Sequence, residues 1–291
     1  MTIVHLPVLI REVVELLSPA EGGTYIDATV GLGGHSEVLL GKIGQDGRVI
    51  GIDKDEEALK RTGLRLNDGR LILKQGSFSG IESLLDQEGI REVDGILFDL
   101  GVSMMQLKDL GRGFSFNSAE RLDMRMDQGQ PFSAWDVVNT YPEKELVRIL
   151  KEYGEEFRAH RIVRAVVFSR QKKTVDTCSE LAGIIERAIG RSGRTHPATK
   201  TFQALRLEVN REMEELRKGL DASLRLLKKG GRLCVISYHS LEDRIVKHFI
   251  RENTQQMMII PLTRKPLVPD RDEIRQNPSS RSSKLRGAEK L

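Results

Sequence analysis

The sequence predicts an α/β protein: a doubly wound, Rossmann-like, mostly parallel sheet with an antiparallel hairpin at one edge, interrupted by an all-helical insertion. Three observations predict it. Over the first hundred residues, short apolar runs alternate with helical patterns, the rhythm of successive βαβ units. The first apolar run ends in a glycine-rich turn, Val30-Gly-Leu-Gly-Gly34, and an acid closes the next run about twenty residues on. From Met104 to Asn210 apolar residues recur at three- and four-residue intervals with little sign of a strand, after which the strand and helix alternation resumes.

The elements follow in order. Val8–Leu17 reads as an opening helix, Thr24–Ala28 as a strand, His35–Ile43 as a helix and Arg48–Asp53 as a second strand. A helix over 55–66, a strand at Leu71–Lys74, a short helix near 80–87 and a strand at Gly95–Asp99 complete the first half of the sheet. In the insertion Glu143–Tyr153, Arg158–Ser169 and Cys178–Ile189 carry helical periodicity. A long helix then runs through Met213–Leu227 to a stop at Gly230 and Gly231, followed by a strand at Arg232–Ser237 and a helix over Leu241–Glu252. Met257–Leu262 and Ser283–Leu291 are expected to pair as the edge hairpin, and the polar stretch Asn277–Ser283 between them to be mobile. The domain reading is therefore 1–103 with 211–291 as one discontinuous α/β domain and 104–210 as a helical insertion.

Composition excludes several classes. With 39% hydrophobic and 30% charged residues, the chain has no fibrous or disordered bias. The opening residues carry no basic segment and no apolar run reaches the roughly 18 residues of a membrane span, so a cytoplasmic location is expected. Cys178 and Cys234 match no metal-ligand spacing and read as buried hydrophobes, and no metal is expected. The net charge of +4 is uninformative, but its distribution is not. Arg158, Arg161, Arg164, Arg170, Lys172 and Lys173 follow one another with no intervening acid, and the last 29 residues, among them Arg281, Lys284 and Arg286, lean the same way. Such clusters suit a polyanion, or else a solvated helix face.

The chemistry gathers around the glycine turn. Gly31, Gly33 and Gly34 allow a tight turn and close approach of a ligand to backbone, while Asp53, at the end of its strand, can accept both hydroxyls of an adenosine ribose. NAD and S-adenosylmethionine both fit such a site. The G-x-G-G spacing, in place of G-x-G-x-x-G, favours the sulfonium donor, which has no pyrophosphate to neutralise. Phe78, after the third strand, either borders the adenine or is a core aromatic. Asp99, ending the fourth strand, either orients an exocyclic amine and accepts charge as a methyl group arrives, or contacts the methionine moiety of the donor. Neither cysteine lies in a loop suited to attack on a pyrimidine ring, so direct transfer to nitrogen is preferred over a covalent intermediate. His239 can bond the target base or a phosphate, or cap the next helix. Arg112, Arg121 and Arg125 either hold RNA or pair with Asp123 and Asp127.

The stretch Asp99-Leu-Gly-Val-Ser103, with Gln106-Leu107, Arg112-Gly-Phe-Ser-Phe116 and Leu122-Asp-Met-Arg-Met126, resembles the bacterial 16S ribosomal RNA cytosine-N4 methyltransferases. His5-Leu-Pro-Val8, Thr195-His-Pro-Ala-Thr199, Thr201-Phe-Gln-Ala-Leu-Arg206, Ile236-Ser-Tyr-His-Ser-Leu-Glu-Asp-Arg244 and Ser283-Lys-Leu-Arg286 extend the resemblance over nearly the whole chain. It implies a class I methyltransferase sheet carrying a helical substrate-recognition insertion. It further implies S-adenosylmethionine as donor and, as substrate, a cytidine in the decoding region (P site) of 16S rRNA in the small subunit. The donor residues it implies are Gly33, Gly34, His35, Asp53, Phe78, Asp99 and Gln106. Where that family commonly has Ser-Pro before Gln-Leu, this chain has Met104-Met105, which leaves the geometry of Gln106 open. No obligatory protein partner is expected, and a homodimer is compatible. The competing readings are a donor-sensing RNA-binding protein without catalysis, an amino-methyltransferase of another nucleic acid, and an NAD-dependent dehydrogenase.

Overall fold

A computed structural model describes residues 7–103, 106, 109–191 and 195–291. The expected matches at His5-Leu6 and Leu107, and the Met104-Met105 departure, lie outside the described residues. The chain forms two compact units, one running to Gly101 and resuming over Met213–Leu291, the other Val102–Glu212.

The first unit is built on seven strands: β1 (Thr24–Asp27), β2 (Arg48–Asp53), β3 (Leu71–Gln75), β4 (Val93–Asp99), β5 (Leu227–Ser237), β6 (Ile259–Pro261) and β7 (Lys284–Lys290). Their order is β3-β2-β1-β4-β5-β7-β6. The first five are mutually parallel, and β7 runs antiparallel between β5 and β6. Helices α1 (Ile10–Leu17), α2 (Gly34–Leu40), α3 (Glu56–Leu66) and α4 (Ile81–Asp86) alternate with the early strands. The central strands are apolar along their length because a parallel sheet is covered on both faces. Ile26, Ile50, Ile52, Ile96 and Phe98 are fully buried, each contributing roughly 1.5–3 kcal/mol by leaving water. Chain order reverses between β1 and β4, the switch point at which α/β sheets open a crevice beyond their strand ends.

The second unit holds α5 (Ala134–Thr140), α6 (Glu143–Glu152), α7 (Ala159–Arg170), α8 (Cys178–Ile189) and α9 (Thr199–Asn210) around its own core, with a single isolated bridge, Arg121 to Thr177, among the described residues. Thr177 and Glu180 form a capping box that starts α8. Back in the first unit, α10 (Glu212–Leu226) precedes β5, α11 (Ser240–Gln255) follows it, and α12 (Arg271–Gln276) lies between β6 and β7.

One expectation is corrected, and a second meets local structure the sequence did not reveal. Gly230 and Gly231 do not end an element before the strand; β5 already begins at Leu227. The glycines sit in an irregularity where the register with β4 moves from Val93 opposite Leu227 to Gly95 opposite Arg232, Gly230 taking a φ of +78°. The Asn277–Ser283 stretch, expected to be mobile, carries regular local structure. Pro278–Ser282 is a 3-10 turn with Ser280 fully buried, its hydroxyl donating to the Asn277 carbonyl at 2.8 Å.

Candidate active site

Three adjacent parallel strands, β2, β1 and β4, each end in an aspartate: Asp53, Asp27 and Asp99. The glycine turn leaves β1 just past Asp27. Gly33 has a φ of +76°, and a Cβ there would strike the Thr62 methyl at 2.7 Å; one at Gly34 would strike Pro7 at 2.7 Å. These two glycines thus serve close packing of the turn. Gly31, with a φ of +50°, differs: its Cβ direction is open, Thr29 O at 3.8 Å being the nearest atom, which leaves room for a ligand against the backbone. Helix α3 ties the turn from outside. The Thr62 hydroxyl donates to the Gly31 carbonyl at 2.7 Å, and Arg65 Nε donates to the Leu32 carbonyl at 3.0 Å.

Asp53 is held by the same turn. Its Oδ2 accepts from the Gly31 amide and its Oδ1 from the Asp55 amide, each at 2.9 Å. Burial pushes its pKa up to about 6, against the pull of those two amides. Both oxygens keep a lone pair for a diol. Asp27, 1% exposed, accepts from the Ser36 hydroxyl at 2.7 Å, and burial raises its pKa. The sequence reading passed over this residue; its signal was an acid closing the first strand immediately before the glycines.

Asp99 lies 18% exposed. The Tyr238 hydroxyl donates to its Oδ1 at 2.8 Å, and its own amide donates to Thr29 Oγ1 at 2.7 Å. His35, from α2, lies 3.7 Å from Asp99 Oδ2 through Nδ1. Its Nε2 is 2.9 Å from the Val8 carbonyl, which can only accept, so Nε2 is the donor there. Burial raises the Asp99 pKa to about 6, while His35 and the Tyr238 hydrogen bond lower it. Tyr238, buried against that carboxylate, is pushed well above its usual value and keeps its proton. Tyr238 is the second residue that sequence reasoning missed; it stands in the stretch that resembled the methyltransferases, but nothing local reveals its partner, 139 residues away.

The other expected residues fall differently. Phe78 is half-buried, edge-to-face with Phe98 at 5.5 Å and in contact with the α10 backbone at Gly219, so it fills the core role at least in part. His239 is the N-cap of α11. Its Nδ1 accepts from the Glu242 amide at 3.4 Å, and Nε2 lies 3.1 Å from Glu242 Oε1. A histidine whose Nδ1 accepts from the first turn of its own helix is a cap, and its Nε2 stays buried without a hydrogen bond. Gln106 belongs to the second unit, where its Oε1 accepts from the Ser103 amide at 3.1 Å while Ser103 Oγ accepts from the Gln106 amide at 3.2 Å, a reciprocal cap.

The basic residues also divide. Arg286 is 9% exposed and its Nε donates to Asp243 of the helix after β5 at 2.7 Å, so as a phosphate contact it is corrected: its charge is already matched within the protein. Lys284 shares that aspartate at 3.5 Å, whereas Arg281 is exposed. In α7, Arg161 and Arg164 are exposed and Arg158 is half-buried beside Glu156. Lys172 is exposed, and Lys173 is paired with Glu180. Arg170 donates to the Val138 and Tyr141 carbonyls, ending α5. Arg112 donates to the Arg125 and Met126 carbonyls, Arg125 forms a bidentate pair with Asp123, and Arg121 lies over Trp135, so the undecided arginines hold the insertion together. Both cysteines are buried, with thiols raised by burial, Cys178 to about 12.

The chain is similar to proteins named ribosomal RNA small subunit methyltransferase H. That of Persephonella marina is 50% identical, that of Sulfurihydrogenibium azorense 47% and that of Caldicellulosiruptor bescii 44%, each match covering 99% of both chains. A family model described as the MraW methylase family matches residues 2–291. With that model spanning the sheet unit, the insertion and the edge hairpin alike, the chain belongs to the MraW methylase family.

Proposed function

We propose that the protein transfers a methyl group from S-adenosylmethionine to the exocyclic N4 of a cytidine in the decoding region of small-subunit ribosomal RNA, working on cytoplasmic subunits. The observation that carries this reading is the row of aspartates at three neighbouring strand ends, with the fourth-strand acid oriented by Tyr238. The residues present fit the donor. The open Cβ direction at Gly31 supports backbone approach by the ligand, and the free lone pairs of Asp53 suit the two ribose hydroxyls. Gly33, Gly34 and His35 shape the turn beside it, and Phe78 borders the adenine side with whatever of its ring the core leaves free. Gln106, engaged in its local cap, is not needed for this set.

When bound, the donor supplies a methyl group on a positively charged sulfur, so no separate activation of the carbon is required. The chain's own work is on the amine. Cytosine N4 is a poor nucleophile because its lone pair is delocalised into the ring. Asp99, ionised above about pH 6, accepts one N–H and localises that pair on nitrogen. Tyr238 fixes Oδ1, leaving Oδ2 to meet the amine. As the C–N bond forms and the C–S bond breaks, the nitrogen becomes acidic and its proton passes to Asp99. The helical unit, with the exposed cations of α7, recognises the RNA around the target base, which is turned out of its stack.

Purified protein is to be incubated with methyl-labelled donor and small subunits from cells lacking it, and the RNA digested to nucleosides. Label in N4-methylcytidine is expected. Donor binding without label in RNA would favour the sensing protein, and label on another base would overturn the cytidine assignment.

A further inference from the structure

Among the described residues, the second unit leaves two large apolar side chains exposed, and both are phenylalanines: Phe157 at 79% and Phe168 at 59%. Each is attended by cations. Arg158 Cζ lies 5.1 Å and Lys200 Nζ 5.9 Å from the Phe157 ring centre, and Lys172 Nζ lies 4.2 Å from that of Phe168. The helix α7 buries Ala159, Ile162, Val163 and Val166 and leaves Arg161 and Arg164 exposed. Arg161, Arg164 and Phe168 are spaced i, i+3 and i+7 and so share one face of that helix. Phe157 stands in the turn just before it. From Arg158 to Lys173 the sequence has no acid.

An exposed phenylalanine leaves apolar area in water, and a ligand that covers the ring recovers that free energy. An interface with another protein wants a contiguous apolar patch with charge at its rim. Here Arg158, Arg161 and Arg164 lie between the two rings along the chain. Aromatic faces separated by cations suit a single strand of nucleic acid, whose bases stack on rings while its phosphates meet the charges. A duplex hides its base faces and gains only the charges.

We infer that Phe157 and Phe168 are base-stacking platforms for single-stranded RNA, with Arg161 and Arg164 holding the phosphates between them. This rests on the RNA-modifying reading above and adds what the charges alone do not give: a preference for unpaired over paired RNA beside the target. The arginines set the salt dependence of binding, and the rings set the preference for single strands.

The test is fluorescence anisotropy of the full chain with a labelled twelve-nucleotide oligouridylate and with duplex RNA of equal length. Phe157→Ala and Phe168→Ala are each expected to weaken oligouridylate binding about 5- to 150-fold, with the salt slope unchanged and duplex binding little affected. Arg161→Gln is expected to lower the salt slope by about 0.7. Phe157→Leu and Phe168→Leu, which keep apolar bulk, are expected to fall with the alanine variants; wild-type affinity in the leucine variants would overturn stacking. Unchanged affinity in the alanine variants would overturn the platform, as would a loss of self-association in sedimentation with RNA binding intact, which would assign the rings to a second copy of the chain. Failure here is separable from failure of the reaction. If wild type labels small subunits while the variants bind oligouridylate normally, only the platform falls. If wild type labels nothing, the anisotropy still judges the platform.

Discussion

The strand-end edge of the sheet unit and the α7 face of the helical unit use charge in opposite ways. At that edge three carboxylates are partly or wholly withdrawn from water, and burial lifts their pKa values, Asp53 and Asp99 to about 6. On α7, Arg161 and Arg164 stay in water, where their charges act over distance and are screened by salt. A third group, Arg112, Arg125 and Arg170, spends its guanidinium on carbonyls or an aspartate within the insertion. Charge held against its own solvation suits the chemistry proposed above, charge left in solvent suits attraction, and charge matched internally is architecture. In the sequence the three kinds look alike.

The largest effect that can break this comparison is on turnover. Asp99→Asn is expected to lower kcat by about 10²-fold or more while changing S-adenosylhomocysteine affinity by less than about 3-fold. Equal losses in both would reduce Asp99 to a donor contact. The same variant tests the strain of burial. A carboxylate whose folded pKa is raised gives stability that is present below its unfolded pKa and lost as pH rises through about 6. A neutral amide in its place escapes that loss, so thermal melts should show Asp99→Asn more stable than wild type at pH 7.5, by about 2–8 °C, with no gain at pH 4.

Donor binding comes next. Asp53→Ala is expected to weaken S-adenosylhomocysteine binding about 10- to 100-fold in calorimetry, through loss of hydrogen bonds to an ionised acceptor. Unchanged affinity would remove Asp53 from the site. Within the insertion, Arg112→Ala should cost about 2–4 kcal/mol in urea unfolding because two carbonyls lose their donor, whereas Arg161→Ala should stay within about 0.5 kcal/mol. Similar costs would erase the distinction between matched and free arginines. The smallest effect sharpens the strand-end edge itself. The Tyr238 hydroxyl favours the ionised form of Asp99, so Tyr238→Phe should move the acid limb of the kcat profile, near pH 6 in wild type, to higher pH, with a loss of only a few-fold at pH 8.5. An unmoved limb would detach Tyr238 from Asp99.

Much of the sheet was legible because its signals are local. Thr24–Asp27 and Arg48–Asp53 are apolar runs closed by an acid, and the turn between Val30 and Gly34 needs glycines whatever the rest of the chain does. The close packing of Gly33 against Thr62 and of Gly34 against Pro7 could not be read there, since both partners are distant in the chain, whereas Gly31 faces open space. The Gly230-Gly231 pair read as a stop because a glycine pair looks the same in a turn as in an irregular strand, and the β4 partner that decides between them is far off in the chain.

By itself, then, the sequence determined where strands end, where the backbone turns, and that Asp53 and Asp99 lie on the same edge of one sheet, since period, turn chemistry and strand direction are encoded within a few residues. Only the tertiary structure decided what each charged group meets. It gave Asp99 to Tyr238, turned His239 onto Glu242, closed Arg286 on Asp243, and left Phe157 and Phe168 outside. The physical reason is that a side chain's solvation and pairing depend on neighbours brought close by packing of distant segments, and the free energy of a charge is set by those neighbours rather than by its place in the chain.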